Sequence, residues 1–279
     1  MKIILSRKGV DSSAGGFASP VFPDGSMLSI PIPDKRSPVR YRDLLGPEKM
    51  STLVRQLSNG RIKGGDAVHL DPDLQETSIK RETEFQPLFG QCGAAQSHLA
   101  SHQVRGGDLF LFFGWFRRVE KHQRRWRYVP GAPNLHVVYG WMQIKDVVAT
   151  EQIGDGPEWR TFQSHPHCHG QFNGDNTIYT GRKTLSVYLG KKGAGVFGRY
   201  SDIRCLTAEN RSRSIWQLPA WMHPEGREST LSYHSDLSRW QRCPGSVELR
   251  SAARGQEFVL DVDHYPEAVD WLKNLFTAK

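Results

Sequence analysis

The 279-residue sequence predicts an α+β fold: one β-rich domain over residues 1–279, with a mixed or antiparallel sheet and a few helices. Two observations carry this. Apolar residues gather in short runs of strand length, above all at 109–116 and 135–144, and only three short stretches have helical spacing. Nor does any internal repeat or linker divide the chain.

Composition narrows the function classes. Hydrophobic residues make up 38% and charged residues 24%, a balance that fits a globular chain with a real core. The formal charge of +8 favours an anionic partner, nucleic acid or nucleotides. Four cysteines lie far apart (Cys92, Cys168, Cys205, Cys243) with no C-x-x-C pair. A disulfide framework or zinc ribbon is therefore not expected, and reduced thiols in a cytoplasm are. The apolar run at Ile3-Ile4-Leu5 is too short for a signal peptide, and no run approaches a membrane span.

In chain order, residues 2–5 read as a buried first strand, and Phe22-Pro23-Asp24-Gly25-Ser26 as the turn of a hairpin. Met50, Leu53, Val54 and Leu57 give the i, i+3, i+4, i+7 face of a helix that Asn59-Gly60 stops. Residues 67–74 read as a strand and its end, and 91–104 as a small-residue helix. That helix puts His98 and His102 on one face, but lacks the glutamate of an H-E-x-x-H metalloprotease. Further strands are expected at 176–179, 185–189, 231–234 and 258–262, with a glycine turn at 193–198 and a closing helix at 266–276. Residues 214–222 form an aromatic segment.

Four stretches carry chemistry. His165, His167 and His169 alternate around Cys168; in an extended segment alternate side chains share a face, so the three imidazoles would point the same way. His69, Asp71 and Asp73 alternate likewise before and after Pro72. A His-x-Asp pair plus a distant histidine is the donor set of a two-histidine, one-carboxylate iron site. His69, Asp71, His165 and His167 are therefore the candidate ligands of a divalent metal (iron, zinc or manganese), with Arg182 downstream as a carboxylate-binding arginine. The Gly/Ser-rich loop after the first strand offers Ser6, Arg7, Lys8 and Ser12 to a phosphate or carboxylate, although it matches neither a Walker loop nor a dinucleotide fingerprint. Lys8, Asp11 and His234 are the candidate proton-moving, catalytic residues. Finally, Arg117, Arg118, Lys121, Arg124, Arg125, Trp126 and Arg127 interleave cations with a ring, as a nucleic-acid surface requires.

Within residues 105–150 the order Gly-Asp, strand, strand, Gly-x-x-x-Ile resembles the small β-barrel of PUA and ASCH domains, which read RNA or modified bases. A broader resemblance spans nearly the whole chain. Ile4-Leu5-Ser6-Arg7-Lys8-Gly9 with Asp11-Ser12-Ser13, Asp24-Gly25, Ile30-Pro31-Ile32-Pro33, His69-Leu70-Asp71-Pro72-Asp73-Leu74 and 107–116 occur in this order. His165-Pro166-His167, Gly193-Ala194-Gly195-Val196-Phe197 and Leu231-Ser232-Tyr233-His234 follow. Together they resemble the nucleotide modification associated domain family, type 3, of phages and bacteria. The resemblance implies an association with modified DNA bases but specifies no reaction and no catalytic residues; His169 lies outside the part of its loop that carries it. Two function classes follow: a metal-dependent enzyme of nucleotide or DNA-base modification, or a non-catalytic nucleic-acid or modified-base reader using the basic aromatic hairpin. The first requires His69, Asp71 and His165 or His167 to meet in one cleft.

Overall fold

The aromatic run at 109–116 becomes the first half of the strand around which the other elements are arranged. The computed structural model describes residues 1–277 except 83, 155, 157, 158, 189, 229, 254 and 256. Its strands and helices, in order, are β1 (Lys2–Arg7), β2 (Ser19–Val21), α1 (Met50–Leu57), β3 (Leu88–Cys92), α2 (Gly93–Ser101), β4 (Leu109–His122), β5 (Arg125–Tyr128) and β6 (Leu135–Ala149). There follow α3 (Trp159–Phe162), β7 (Asn176–Gly181), β8 (Ala194–Val196), β9 (Ile215–Pro219), β10 (Trp240–Cys243), β11 (Ser246–Arg250), β12 (Glu257–Asp261) and α4 (Ala268–Thr277).

The main sheet runs β12-β1-β4-β6-β7-β3, with β2 and β5 added to β4 and β8 to β6. It is mixed because β1 and β2 run parallel to β4 while β6, β7, β3 and β12 enter antiparallel to their neighbours. A second, antiparallel sheet of order β10-β11-β9 packs through Trp216. Side chains alternate across the pleat of β4. Phe110 and Phe112 meet Phe89 and Tyr179 on one face, and Phe113 meets Trp216 and Phe258 on the other. Three strands along from β4, Phe89 on β3 still lies 4.7 Å from Phe110, so the sheet curls. Its two end strands approach through one side-chain bond, Gln91 Nε2 to Glu257 Oε1 at 2.5 Å, and no strand pairing closes a barrel among the described residues. The stretch 105–150 is thus part of an open, curled sheet and not of a closed PUA-like barrel.

A second core packs α1 against the N-terminal loops and the β4–β5 hairpin. Met50, Leu53, Val54 and Leu57 face Val10, Phe22, Tyr41 and Trp126 there. The hairpin turns through Gln123 and Arg124, both at positive φ (48° and 64°), the backbone of a two-residue type I′ turn. Trp126 keeps only 8% of its surface and meets Phe22 edge-on at 5.1 Å. At the C-terminus α4 sets Phe276 against Trp141 and Phe197.

Several local expectations change. Residues 185–188 form no regular strand, because Leu185 N–H bonds Lys191 O and closes a loop; Leu189 lies outside the described residues. The expected glycine turn at 193–198 contains β8, where Gly195 lets the backbone pass the Trp141 ring. Residues 231–234 turn at Tyr233, φ 68°, instead of extending. Gln91 and Cys92 finish β3, and the expected helix begins only at Gly93. Residues 67–74 touch neighbouring segments through isolated bridges at Ala67, Val68 and Asp73. No helix among the described residues is long and apolar enough to cross a membrane.

Removing the Trp126 ring empties a site in the second core. Trp126→Ala is expected to lower unfolding free energy by about 3–5 kcal/mol in urea titration; an unchanged midpoint would show that the ring does not hold this core.

Candidate metal centre

Asp71 is the first residue to place. Its carboxylate is 3% exposed, and Oδ1 accepts the Gly90 N–H at 2.8 Å and His165 Nε2 at 3.2 Å. Gly90 allows this approach: a Cβ there would stand 2.4 Å from the His167 ring and 2.8 Å from that of His165. The histidine loop is not extended. Pro166–Cys168 form a 3-10 turn with His165 at its N-cap, and His165 Nδ1 accepts the His167 N–H at 3.3 Å. Because that nitrogen accepts, His165 carries its proton on Nε2 and donates it to Asp71.

The other two rings are oriented from behind. His69 Nδ1 lies 2.8 Å from Asp34 Oδ2, and Asp34 is gripped by Arg36 through Nε (2.9 Å) and Nη2 (3.0 Å). A carboxylate only accepts, so His69 donates from Nδ1, and in its neutral form keeps a lone pair on Nε2. His167 Nδ1 lies 2.6 Å from Asn176 Oδ1, while Asn176 Nδ2 donates to His167 O at 2.9 Å. That second bond fixes the amide's orientation, so His167 also donates from Nδ1 and turns a lone pair inward on Nε2. Phe172 stacks on the His167 ring at 4.5 Å, with the Arg36 guanidinium over Phe172.

Three acceptor atoms therefore converge. Asp71 Oδ2 is 3.6 Å from His69 Nε2 and 3.8 Å from His167 Nε2, and ligand atoms of all three residues lie within 4.8 Å of one another. Ligands about 2.0–2.2 Å from one ion stand roughly 3–4 Å apart, so the two Asp71 distances suit a shared cation. The electrostatics agree. Burial opposes the Asp71 charge, but hydrogen bonds from His165 and His69 outweigh it and hold the carboxyl well below its usual range. Burial pulls His167 down to about 4, which leaves it neutral near pH 7. Burial also pulls on His69, but its bonds to Asp34 and Asp71 win and raise it.

The remaining candidates divide. Asp73 turns away to Arg81 at 2.7 Å, with burial raising it to about 6. His169 leaves the cluster because the 3-10 turn breaks the alternation; its Nε2 lies 2.6 Å from Gln163 O. Arg7, Lys8, Asp11 and Arg36 line the same cleft as His69, Asp71 and His167, a space of about 850 Å³. Lys8 Nζ is 3.1 Å from Glu257 Oε1 and sits over the Phe89 ring. Arg7 is tied to Ala252 O at 2.9 Å, and Asp11 Oδ1 caps its own turn at Ser13 and Ala14. Ser6 is buried within β1, and Ser12 is engaged by Arg213; neither lines the cleft. His234 is fully buried, with Nδ1 on Ser232 O and Nε2 accepting from Ala252 N–H. Both of its nitrogens serve the backbone, which leaves none for a substrate proton. Arg182 lines a separate cavity.

The basic hairpin differs from its expectation in one decisive respect: its rings are spent on packing. Trp126 belongs to the second core, and Tyr128 bonds Ala18 O through its hydroxyl. Lys121 pairs with Glu48 and Arg127 with Glu120, while Arg117 donates to Ala132 O and Arg118 lies over Tyr200. Arg124 and Arg125 are exposed at the tip. Sequence reasoning missed Asp34, Gly90 and Asn176, which orient the cluster; Asp34-x-Arg36 was the only local signal, an acid beside a cation.

Fold and cluster together define an α+β protein whose polar cleft holds two histidines and a carboxylate. The chain belongs to the nucleotide modification associated domain 3 family, whose sequence model matches residues 2–261. No curated protein and no solved structure matches it.

Nitrogen-detected NMR of the metal-free protein is expected to show His69 and His167 protonated on Nδ1 and His165 on Nε2. On acidification His69 takes up its second proton before His167 does, because the one is raised and the other lowered. The reverse order of titration would contradict this arrangement.

Proposed function

We propose that this protein is a metal-dependent enzyme of nucleotide or DNA-base modification, with His69, Asp71 and His167 as ligands of a divalent ion. The observation that carries the reading is the convergence of three acceptor atoms within 4.8 Å, two of them on rings tied in place from behind. With His69 neutral, three lone pairs face one another and repel, and a cation resolves that repulsion; with His69 protonated, its Nε2–H meets Asp71 instead, so proton and ion compete for the same place. Two imidazoles and one carboxylate suit iron, zinc or manganese, and with open positions they are the donor set of non-haem iron(II) oxygenases. When bound, such an ion supplies Lewis acidity beside the substrate.

The chain's own residues supply the rest. His165 donates to Asp71 Oδ1 and so turns Oδ2 toward the two rings. Arg7, Lys8 and Arg36 set three cations along a cleft that Asp11, Asp34 and Asp71 also line, and are the groups that would meet the phosphate of a nucleotide. Lys8, ion-paired to Glu257, is the group at which a proton would be held, and Asp11 lies on the same wall. The family's association with nucleotide modification supports nucleotides or DNA bases as the substrate class.

Metal analysis of tag-free protein by mass spectrometry tests this. Near-stoichiometric iron, zinc or manganese is expected in the wild type and none in His69→Ala/His167→Ala. His165→Ala is expected to keep the site but weaken it about 10–100-fold. Affinity should fall as pH is lowered, because protonation of His69 competes with the ion. A folded wild type that takes up none of the three metals on reconstitution would remove the centre.

A further inference from the structure

The combination of unpaired cations and rings expected at the hairpin occurs elsewhere. After β7 the chain doubles back between Arg182 and Lys192, held by Leu185 N–H on Lys191 O and Gly193 N–H on Lys183 O. Gly193 makes the fold-back tight, since a Cβ there would stand 2.1 Å from Arg182 O. This brings Arg182, Lys183, Lys191 and Lys192, all exposed, along a cavity of about 870 Å³. None of the four has an acidic partner among the described residues. Two carboxylates also line the cavity, Glu76 and Glu84, but both come from the segment before β3. Trp141 contributes a partly exposed ring, fixed by its indole N–H on Lys192 O at 3.0 Å and packed against Phe197, Phe276 and the Gly195 backbone. Leu74 and Val196 also line a small pocket of about 90 Å³, on which Gly9 and Asp71 of the histidine cleft border as well.

We infer that this cavity docks the phosphate backbone of a single nucleic-acid strand. Arg182, Lys183, Lys191 and Lys192 meet its phosphates, and the exposed part of the Trp141 ring lies beside them. Exposed cations with no acidic partner among the described residues lose no ion pair there on meeting a phosphate, whereas Lys121 and Arg127 in the hairpin must first leave theirs. Cations beside an anchored ring suit a strand with accessible bases. The docking surface stands on its own geometry; only the further step, that the modified base belongs to a strand, rests on the function proposed above.

Fluorescence anisotropy of the full chain with a labelled single-stranded oligonucleotide of about twenty nucleotides, from roughly 50 to 200 mM salt, is the test. Lys183→Glu/Lys191→Glu/Lys192→Glu is expected to weaken binding by at least about tenfold and to flatten the log–log salt slope by about 2. Lys183→Gln/Lys191→Gln/Lys192→Gln should do the same to a smaller degree, which guards against misfolding of the charge-reversed protein. Arg124→Glu/Arg125→Glu should bind like the wild type. So should His69→Ala/His167→Ala, so that loss of the metal reading leaves this one intact. Wild-type affinity and slope in both lysine variants would overturn the inference, as would loss confined to the hairpin variant. Displacement of the strand by an equimolar free nucleoside triphosphate would make the cavity a mononucleotide site and overturn it equally.

Discussion

The candidate site depends on how one buried carboxylate is shared. Asp71 gives one oxygen to the Gly90 N–H and His165 and leaves the other for His69 and His167. A buried charge is tolerable only when its partners are in place. Here the partners come from β3, from the segment before it and from a loop ninety-four positions downstream of Asp71. The curl of the sheet makes that meeting geometrically cheap. It folds β3 over β4 and presents the glycine backbone where any side chain would strike the rings.

The two polar ends of the cleft are joined by the same curl. Lys8 at the end of the first strand meets Glu257 from β12, and Glu257 accepts Gln91 from β3. Gln91 follows directly on Gly90, so the backbone that serves Asp71 also carries the side chain that serves Glu257, the partner of Lys8. The exposed cations at 182–192 belong to a different part of the sheet, where β8 and the fold-back before it flank β6. Cation density in the sequence is highest at 117–127, yet there the side chains are largely engaged with neighbouring carboxylates, carbonyls and rings.

What could be read in the sequence follows from the range of the forces concerned. The strands at 109–116 and 135–144 and the α1 face are recorded in local periodicity, and they appear where expected. The nature of His69, Asp71 and His167 as metal-competent groups was legible from residue type. Their convergence was not, since it depends on tertiary contacts across the sheet. His165, His167 and His169 share a face only in an extended segment. Pro166 instead starts a 3-10 turn, which keeps the first two rings near Asp71 and sends the third to Gln163. Trp126 illustrates the opposite failure: a ring among cations looks like a stacking platform until tertiary packing buries it.

The span between Asp71 and His167 has a bearing on the protein's life in the cell. An ion held by both would join distant parts of the chain in the folded state only, and ligands that bind only the folded state stabilise it by mass action. Free metal would then govern how often this region opens, and with it exposure to proteases. Abundance of the protein would thus follow the supply of its metal, falling under starvation without any change in synthesis.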